Sequence, residues 1–235
     1  MDERVKVSLS WSGGKDSAFA LWLLMQDPGF EVALLHTTFG EETKRVGMHG
    51  IPEKLIEMQA LSIGLPLDNI YYPASGDNQA YESAINRYLD FLSPEGISHI
   101  AFGDIFLEDL KKYREDQLAS KDFKAVFPLW GKDTKTLSKE FIRSGFKTLI
   151  CAADADKIED QWMGKTYDEA FLNQLKDEVD PCGEFGEFHT FCYDGPIFRN
   201  PISYRLGETV MKSYDIKKED GSTGQKRFFF IEVIE

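Results

Sequence analysis

The chain has 235 residues, more than the roughly 100 to 200 of a typical domain, so it is one large domain or a domain with an appended module. Hydrophobic residues at 42% and charged residues at 29% give the balance of a globular protein rather than a disordered or fibrous one. Forty acidic against 27 basic residues, a net charge of -13, disfavour non-specific binding to nucleic-acid backbones.

An apolar strand is expected at Val5–Ser10, followed by Ser12-Gly13-Gly14-Lys15-Asp16-Ser17 and a helix over Ser17–Met25. The run Ala18–Met25 is the longest apolar stretch and falls far short of the roughly 20 residues of a membrane span. The start Met1-Asp2-Glu3-Arg4 lacks the basic lead of a signal segment, so a cytoplasmic chain with no membrane partner is expected. Further strands are predicted at Glu31–Thr38, Asn69–Tyr72, His99–Gly103 and Thr148–Ala153. Helices of three-and-four apolar spacing are predicted at Pro52–Ile63, Gln79–Phe91 and Thr136–Ser144. This alternation implies an α/β fold, a doubly wound parallel sheet with ligands at the carboxyl ends of its strands.

After about residue 154 the composition shifts. Asp156–Asp180 reads as one or two acidic helices and Glu187–Glu235 as strands, ending in a hairpin of Thr209–Ile216 and Arg227–Ile234 around a turn-rich 219–224. A main domain over 1–154 and a small α+β module over 155–235 are therefore expected. Residues 111–147 hold ten Lys/Arg against five Asp/Glu, and residues 152–196 three against twelve. These runs are either solvated faces or surfaces for phosphate and for a cation. Cys151, Cys182 and Cys192 are too few and too scattered for a disulfide framework or a zinc site, and are read as reduced thiols.

The strand–glycine turn–helix arrangement at 5–17 is what an anion site needs. Gly13 and Gly14 permit close backbone approach, successive N–H groups and the helix N-terminus direct partial positive charge outward, and Lys15 adds a full charge. Ser12 and Ser17 supply hydroxyl donors, and Asp16 either caps the helix or helps hold magnesium. Neither GxxxxGK[ST] nor GxGxxG is present, which disfavours γ-phosphate transfer and NAD chemistry. A second dense stretch, Asp180-Pro181-Cys182-Gly183-Glu184-Phe185-Gly186-Glu187-Phe188-His189-Thr190, precedes Asp194-Gly195-Pro196-Ile197-Phe198. Strand alternation from Glu187 to Tyr193 would project Glu187 and His189 to one face, with Phe185, Phe188 and Tyr193 as cation-π walls. A structural turn around a buried salt bridge is the competing reading.

The hexapeptide Ser12–Ser17 resembles the pyrophosphatase loop of the N-type ATP pyrophosphatases, of the adenine-nucleotide α-hydrolase-like fold. Together with Phe127-Pro128-Leu129-Trp130-Gly131, Trp162-Met163-Gly164, Asp180–Thr190 and Asp194–Phe198, the chain resembles the diphthine ammonia ligase, or diphthamide synthase domain, family over nearly its whole length. The resemblance implies an ATP-dependent ligase that adenylates an acceptor carboxylate, releases pyrophosphate and couples ammonia, with ATP and Mg2+ as cofactors. In the family the acceptor is diphthine on elongation factor 2. It implies ATP binding by Ser12, Gly13, Gly14, Lys15, Asp16 and Ser17, with Lys15 and Asp16 catalytic and Asp16 on magnesium. His36 and Thr37 would lie near the adenine and Gly103 near the nucleotide. An acceptor pocket would be formed by Asp104, Arg114, Glu184, Glu187, His189 and Thr190. From its residues alone, His36 reads as a packing group rather than a base.

One departure stands out. Where the diphthamide-forming branch reads GAIxSxYQxxR, this chain reads Gly103-Asp104-Ile105-Phe106-Leu107-Glu108-Asp109-Leu110-Lys111-Lys112-Tyr113-Arg114, resembling the bacterial-type branch. The added acids suggest either a changed acceptor or an acidic helix start capped by Asp104. Alternative functions are an ATP pyrophosphatase acting on another carboxylate, metabolite or tRNA, and a nucleotide sensor without turnover. The strand Phe228-Phe229-Phe230 leaves open whether it buries against its own core or in a homodimer.

Overall fold

The computed structural model describes residues 4–73, 78–217 and 223–235. Its first sheet has the order β3-β2-β1-β4-β5, all parallel, from β1 (Val5–Ser10), β2 (Phe30–Gly40), β3 (Leu67–Tyr72), β4 (His99–Ala101) and β5 (Lys124–Val126). Helices α1 (Lys15–Gln26) and α2 (Glu53–Ile63) pack Phe19, Leu21, Leu55 and Ile56 into one core with Val7, Leu9 and Leu35. On the other face, α3 (Asn78–Leu92) and α4 (Glu108–Ala119) bury Ile85, Leu89 and Leu118 with Leu34, Ile70 and Ile100. The sheet is thus doubly wound, with its switch point between β1 and β4.

After α5 (Thr134–Arg143) comes a second, antiparallel sheet of order β7-β6-β9-β8, built from β6 (Lys147–Asp154), β7 (Phe188–Asp194), β8 (Arg205–Lys217) and β9 (Thr223–Ile234). A short helix α6 (Glu169–Gln174) lies between β6 and β7. The strand predicted at Thr148–Ala153 exists but belongs here, not to the parallel sheet. The fifth parallel strand is the unpredicted Lys124–Val126, whose three residues are too short to show a period. The acidic stretch 156–180 forms the six-residue α6 and one 3-10 turn rather than long helices. The tip of the predicted hairpin, 218–222, lies outside the described residues.

Helix α1 explains how the two sheets meet. Its apolar run buries Ala18, Phe19, Ala20, Leu21 and Leu24, because one side faces the parallel sheet while Phe19 meets Phe141 and Phe146 on the other. A helix apolar nearly all round belongs between layers. Phe228 is buried and Phe229 packs on the main core, whereas Phe230 lines an open groove beside β8. The three cysteines are free and buried. Among the described residues no helix is long and apolar enough to cross a membrane.

The turn after β1 is tied to both layers through fully buried Gln59 of α2. Its Oε1 accepts from Trp11 Nε1 at 2.9 Å, and its Nε2 donates to Gly13 O at 3.0 Å and to Cys192 O at 2.6 Å. Cys192 N also donates to Gly13 O at 2.8 Å. Gly13 has φ +77°, and a Cβ there would stand 2.5 Å from Ile56 Cδ1, so only glycine fits. Replacing Gln59 by Leu strands the Trp11 indole N–H and should cost on the order of 2 kcal/mol, read as a lowered urea midpoint with unchanged slope. An unchanged midpoint would show that the clamp contributes nothing to stability.

Candidate functional site

At the switch point a cleft of about 220 Å³ opens between the carboxyl ends of β1 and β4 and the start of β7. Ser12, Lys15, Asp16 and Ser17 enter it from the turn and α1, Gly103 and Asp104 from the end of β4, Arg114 from α4, and Glu184, His189 and Thr190 from the second sheet and the loop before it. The two stretches singled out in sequence, Ser12–Ser17 and Asp180–Thr190, therefore face one space.

Helix α1 begins with Gly14 as N-cap, and no side chain caps it. Asp16 sits within the first turn and is not the cap. A Cβ on Gly14 would approach Thr190 O at 2.9 Å and His49 Nε2 at 3.0 Å, so the glycine lets the turn lie against the second sheet. Of the loop amides, Lys15 N–H is engaged, donating to Thr190 Oγ1 at 2.9 Å.

Lys15 is 4% exposed. Its Nζ donates to both carboxylate oxygens of Asp16, at 2.9 and 2.8 Å, and to Cys182 O, and it lies 5.4 Å from the Phe188 ring centre and 5.8 Å from that of Tyr167. Burial works against the ammonium charge, but the Asp16 carboxylate outweighs it and holds Lys15 above its ordinary pKa. Lys15 is a permanent cation at neutral pH.

The loop before β7 is fixed from several sides. Asp180 Oδ1 accepts from Cys182 N at 2.9 Å and Glu184 N at 3.3 Å, while its Oδ2 accepts from Thr134 Oγ1 at 2.7 Å. Glu184 Oε1 accepts from the N–H groups of Ile105 and Phe106, at 2.8 and 3.2 Å, and so holds the segment after β4. Burial pushes the Glu184 carboxyl up to about 7, opposed by those N–H groups and helped by repulsion from Asp16. Gly103 could carry no Cβ, which would meet the backbone of Asp16 at 2.9 Å. Asp104 holds Arg114, Oδ2 to Nε at 2.5 Å, and the guanidinium lies over Phe102 at 4.2 Å.

Other predicted residues lie elsewhere. Glu187 precedes β7, is fully buried, and its Oε1 accepts from Lys157 Nζ at 3.2 Å and Asp180 N at 3.3 Å. It does not line the cleft or share a face with His189. Here the buried salt-bridge reading holds. Thr37 is buried too, its hydroxyl donating to Trp11 O at 2.6 Å as a prop beneath the turn. His36 pairs Nδ1 with Ser8 Oγ at 2.8 Å and packs on Tyr88, and burial lowers its pKa to about 3. It is neutral and lines, with Thr38, a narrow recess that shares Ser10, Phe102 and Arg114 with the cleft. Gly13 shapes the turn from behind. Phe185 packs on Phe106 and Tyr193 on Tyr204, away from the cleft.

Sequence reasoning missed Gln59 and His49. His49 stacks on His189 at 4.6 Å between ring centres, and both stay neutral, burial lowering His189 to about 4 with help from Lys15. The glycines flanking Met48-His49 were the only signal. Of the basic stretch 111–147, Arg114 lines the cleft, whereas Lys112, Lys121 and Lys147 make surface pairs with Asp116, Asp90 and Asp194. Glu108 and Asp109 occupy the exposed first turn of α4, where acids favour the helix dipole. Asp104 faces the cleft and does not cap α4, whose N-cap is Leu107.

Residues 5–121 match the family model described as the diphthamide synthase N-terminal domain, and residues 133–220 the one described as the diphthamide synthase C-terminal domain. The chain belongs to the diphthamide synthase family. A diphthine–ammonia ligase of Danio rerio is 26% identical over 228 residues, covering 87% of this chain and 88% of that protein. The Homo sapiens enzyme of the same name is 27% identical over 236 residues, covering 90% and 87%. That of Schizosaccharomyces pombe is 26% identical over 86% of this chain but only 36% of its own length. A U34-tRNA thiolase structure from Methanococcus maripaludis aligns over 60% of this chain and 58% of its own at 16% identity and a TM-score of 0.39. The expectation of a ligase of this family on a parallel α/β sheet holds.

Glu184 carries a pH signature. Its folded pKa is raised above the unfolded value, so between about 4.5 and about 7 the folded state keeps a proton the unfolded chain has lost, and stability falls as pH rises through that window. Urea unfolding at pH 5 and pH 8 should show the wild type losing stability relative to Glu184→Gln. A constant difference between the two would mean that this carboxyl ionises normally.

Proposed function

We propose that this chain is an ATP-dependent amide-forming ligase that adenylates an acceptor carboxylate, releases pyrophosphate and couples ammonia, with diphthine on elongation factor 2 as the acceptor. One observation carries the reading: the uncapped start of α1 and the Lys15 ammonium meet Glu184, His189 and Thr190 across a single cleft. The family named on the curated relatives supplies the acceptor and the amine.

In this reading ATP lies with its phosphates over Ser12, Gly14, Ser17 and the first turn of α1, and its base toward the recess of His36 and Thr38. The acceptor carboxylate oxygen attacks the α-phosphorus, and the bond from that phosphorus to the bridging oxygen breaks. Electrons leave on pyrophosphate, whose charge the helix N-terminus and Lys15 stabilise. Ammonia then donates its lone pair to the acyl carbon, AMP departs with the carboxylate oxygen, and the nitrogen loses a proton. Glu184, His189 and Thr190 line the acceptor side, with Asp104 and Arg114 opposite.

Magnesium fits the cleft. Asp16 and Asp104 face it beside Lys15 and Arg114, with the Glu184 carboxyl about half ionised near neutrality, so the lining leaves no surplus positive charge for a polyphosphate unless a cation joins it. In this reading the ion is held by one carboxylate, water and substrate phosphates. Asp16 would hold it, and bound there it would neutralise charge on the leaving pyrophosphate.

Pyrophosphate release from ATP should require diphthine-bearing elongation factor 2 and should fall by about 100-fold to 1000-fold in Lys15→Ala, the scale for losing one transition-state charge donor. Pyrophosphate formed only with another carboxylate would replace the acceptor and keep the chemistry. ATP binding without turnover on any acceptor would favour a nucleotide sensor.

A further inference from the structure

Among the described residues strand β8 ends the antiparallel sheet, so one side of its backbone ladder has no partner strand there. Its hairpin with β9 also projects. β9 pairs with β6 through Phe228, Phe229 and Phe230, with one further backbone bond from Ala155 N to Arg227 O, whereas among the described residues Lys226 back to Thr223 pairs its backbone with β8, opposite Tyr214–Lys217. Along this strand the side chains of Glu208 to Asp215 are exposed on both faces, with Val210 at 44%, Met211 at 54% and Tyr214 at 39%. A two-stranded ribbon is marginal by itself in water, and a long edge with exposed apolar residues is a template for a further strand.

We propose that the edge of β8 joins two copies of this chain, the strands pairing antiparallel about Val210. Charge argues for a second copy. The whole chain carries -13, which opposes self-association, yet the segment from Arg205 to Asp215 is neutral, with Arg205 and Lys212 against Glu208 and Asp215. The order of those charges selects a register. With Val210 opposite its own copy, Glu208 faces Lys212 and Thr209 faces Met211, each pair occurring twice by the two-fold symmetry. Centring on Thr209 or Met211 leaves Glu208 opposite Val210 or Tyr214, and centring on Lys212 sets that lysine against itself. Glu208, Val210, Lys212 and Tyr214 all line one groove beside residues 43–50, so the ion pairs and the central valine share a face. The irregularity in β8–β9 pairing between Leu206 and Thr209 leaves the strand regular from Thr209 onward.

The pairing makes an eight-stranded sheet across the two-fold axis and leaves the catalytic cleft of each copy to its own residues. The test is the mass of the full chain by light scattering across a concentration series. The wild type should approach twice 26.8 kDa. Lys212→Glu sets Glu against Glu in both symmetric pairs and should weaken the dimer about tenfold or more. The double variant Glu208→Lys with Lys212→Glu re-forms both pairs in reverse and should restore the dimer, which separates lost pairing from lost folding. A monomeric wild type, a Lys212→Glu protein that dimerises as well as wild type, or a double variant that stays monomeric would each overturn the proposal.

Discussion

A desolvated ammonium ties this molecule together. Lys15 cannot lie 4% exposed without partners, because an unpaired buried charge costs several kcal/mol. Asp16, its chain neighbour, supplies the countercharge, and the remaining partners, Cys182 O and the faces of Tyr167 and Phe188, come from the second layer. The cation is satisfied only when the antiparallel sheet has docked on α1. Docking of the second layer and completion of the Lys15 environment are therefore coupled.

The turn that presents Lys15 is constrained in the same way. Trp11 and Gly13 are held by Gln59, Gly13 O by Cys192 N, and Lys15 N–H by Thr190. Each bond crosses between elements far apart in sequence, so the loop takes its shape from packing more than from its glycines. This preorganisation suits a site whose work is to stabilise a leaving anion, since donors already in place need no reorganisation when charge develops.

What was legible in the sequence is what local chemistry specifies. Ser12–Ser17 combines a turn, a cation and a helix start within six residues, and Asp180–Thr190 concentrates glycines and carboxylates, so both stretches announced themselves. Positions that depend on which strand lies beside which did not. Thr148–Ala153 is apolar because it is buried in either sheet, and nothing in its pattern distinguishes parallel from antiparallel neighbours. Glu187 and His189 alternate on paper, but only His189 lines the cleft, whereas Glu187 is buried against Lys157. Gln59 looked like one more polar residue of an amphipathic helix, and only tertiary contact shows that it is buried.

Glu184 connects the two ends of the cleft. One of its oxygens grips the N–H groups of Ile105 and Phe106, immediately after the Asp104 that positions Arg114, while its own backbone N–H is tied to Asp180. A change in the Asp180–Glu184 loop is therefore transmitted to the segment after β4 that borders the cleft. The branch-specific acids around 104–109 divide along this line. Glu108 and Asp109 lie in the exposed first turn of α4, whereas Asp104 is held between Arg114 and the cleft. If the proposed acceptor choice differs between branches of the family, the physical lever in this chain is the Asp104–Arg114 pair and the Glu184 carboxyl that steadies it, because these groups line the cleft and shape the field around the Lys15–Asp16 pair.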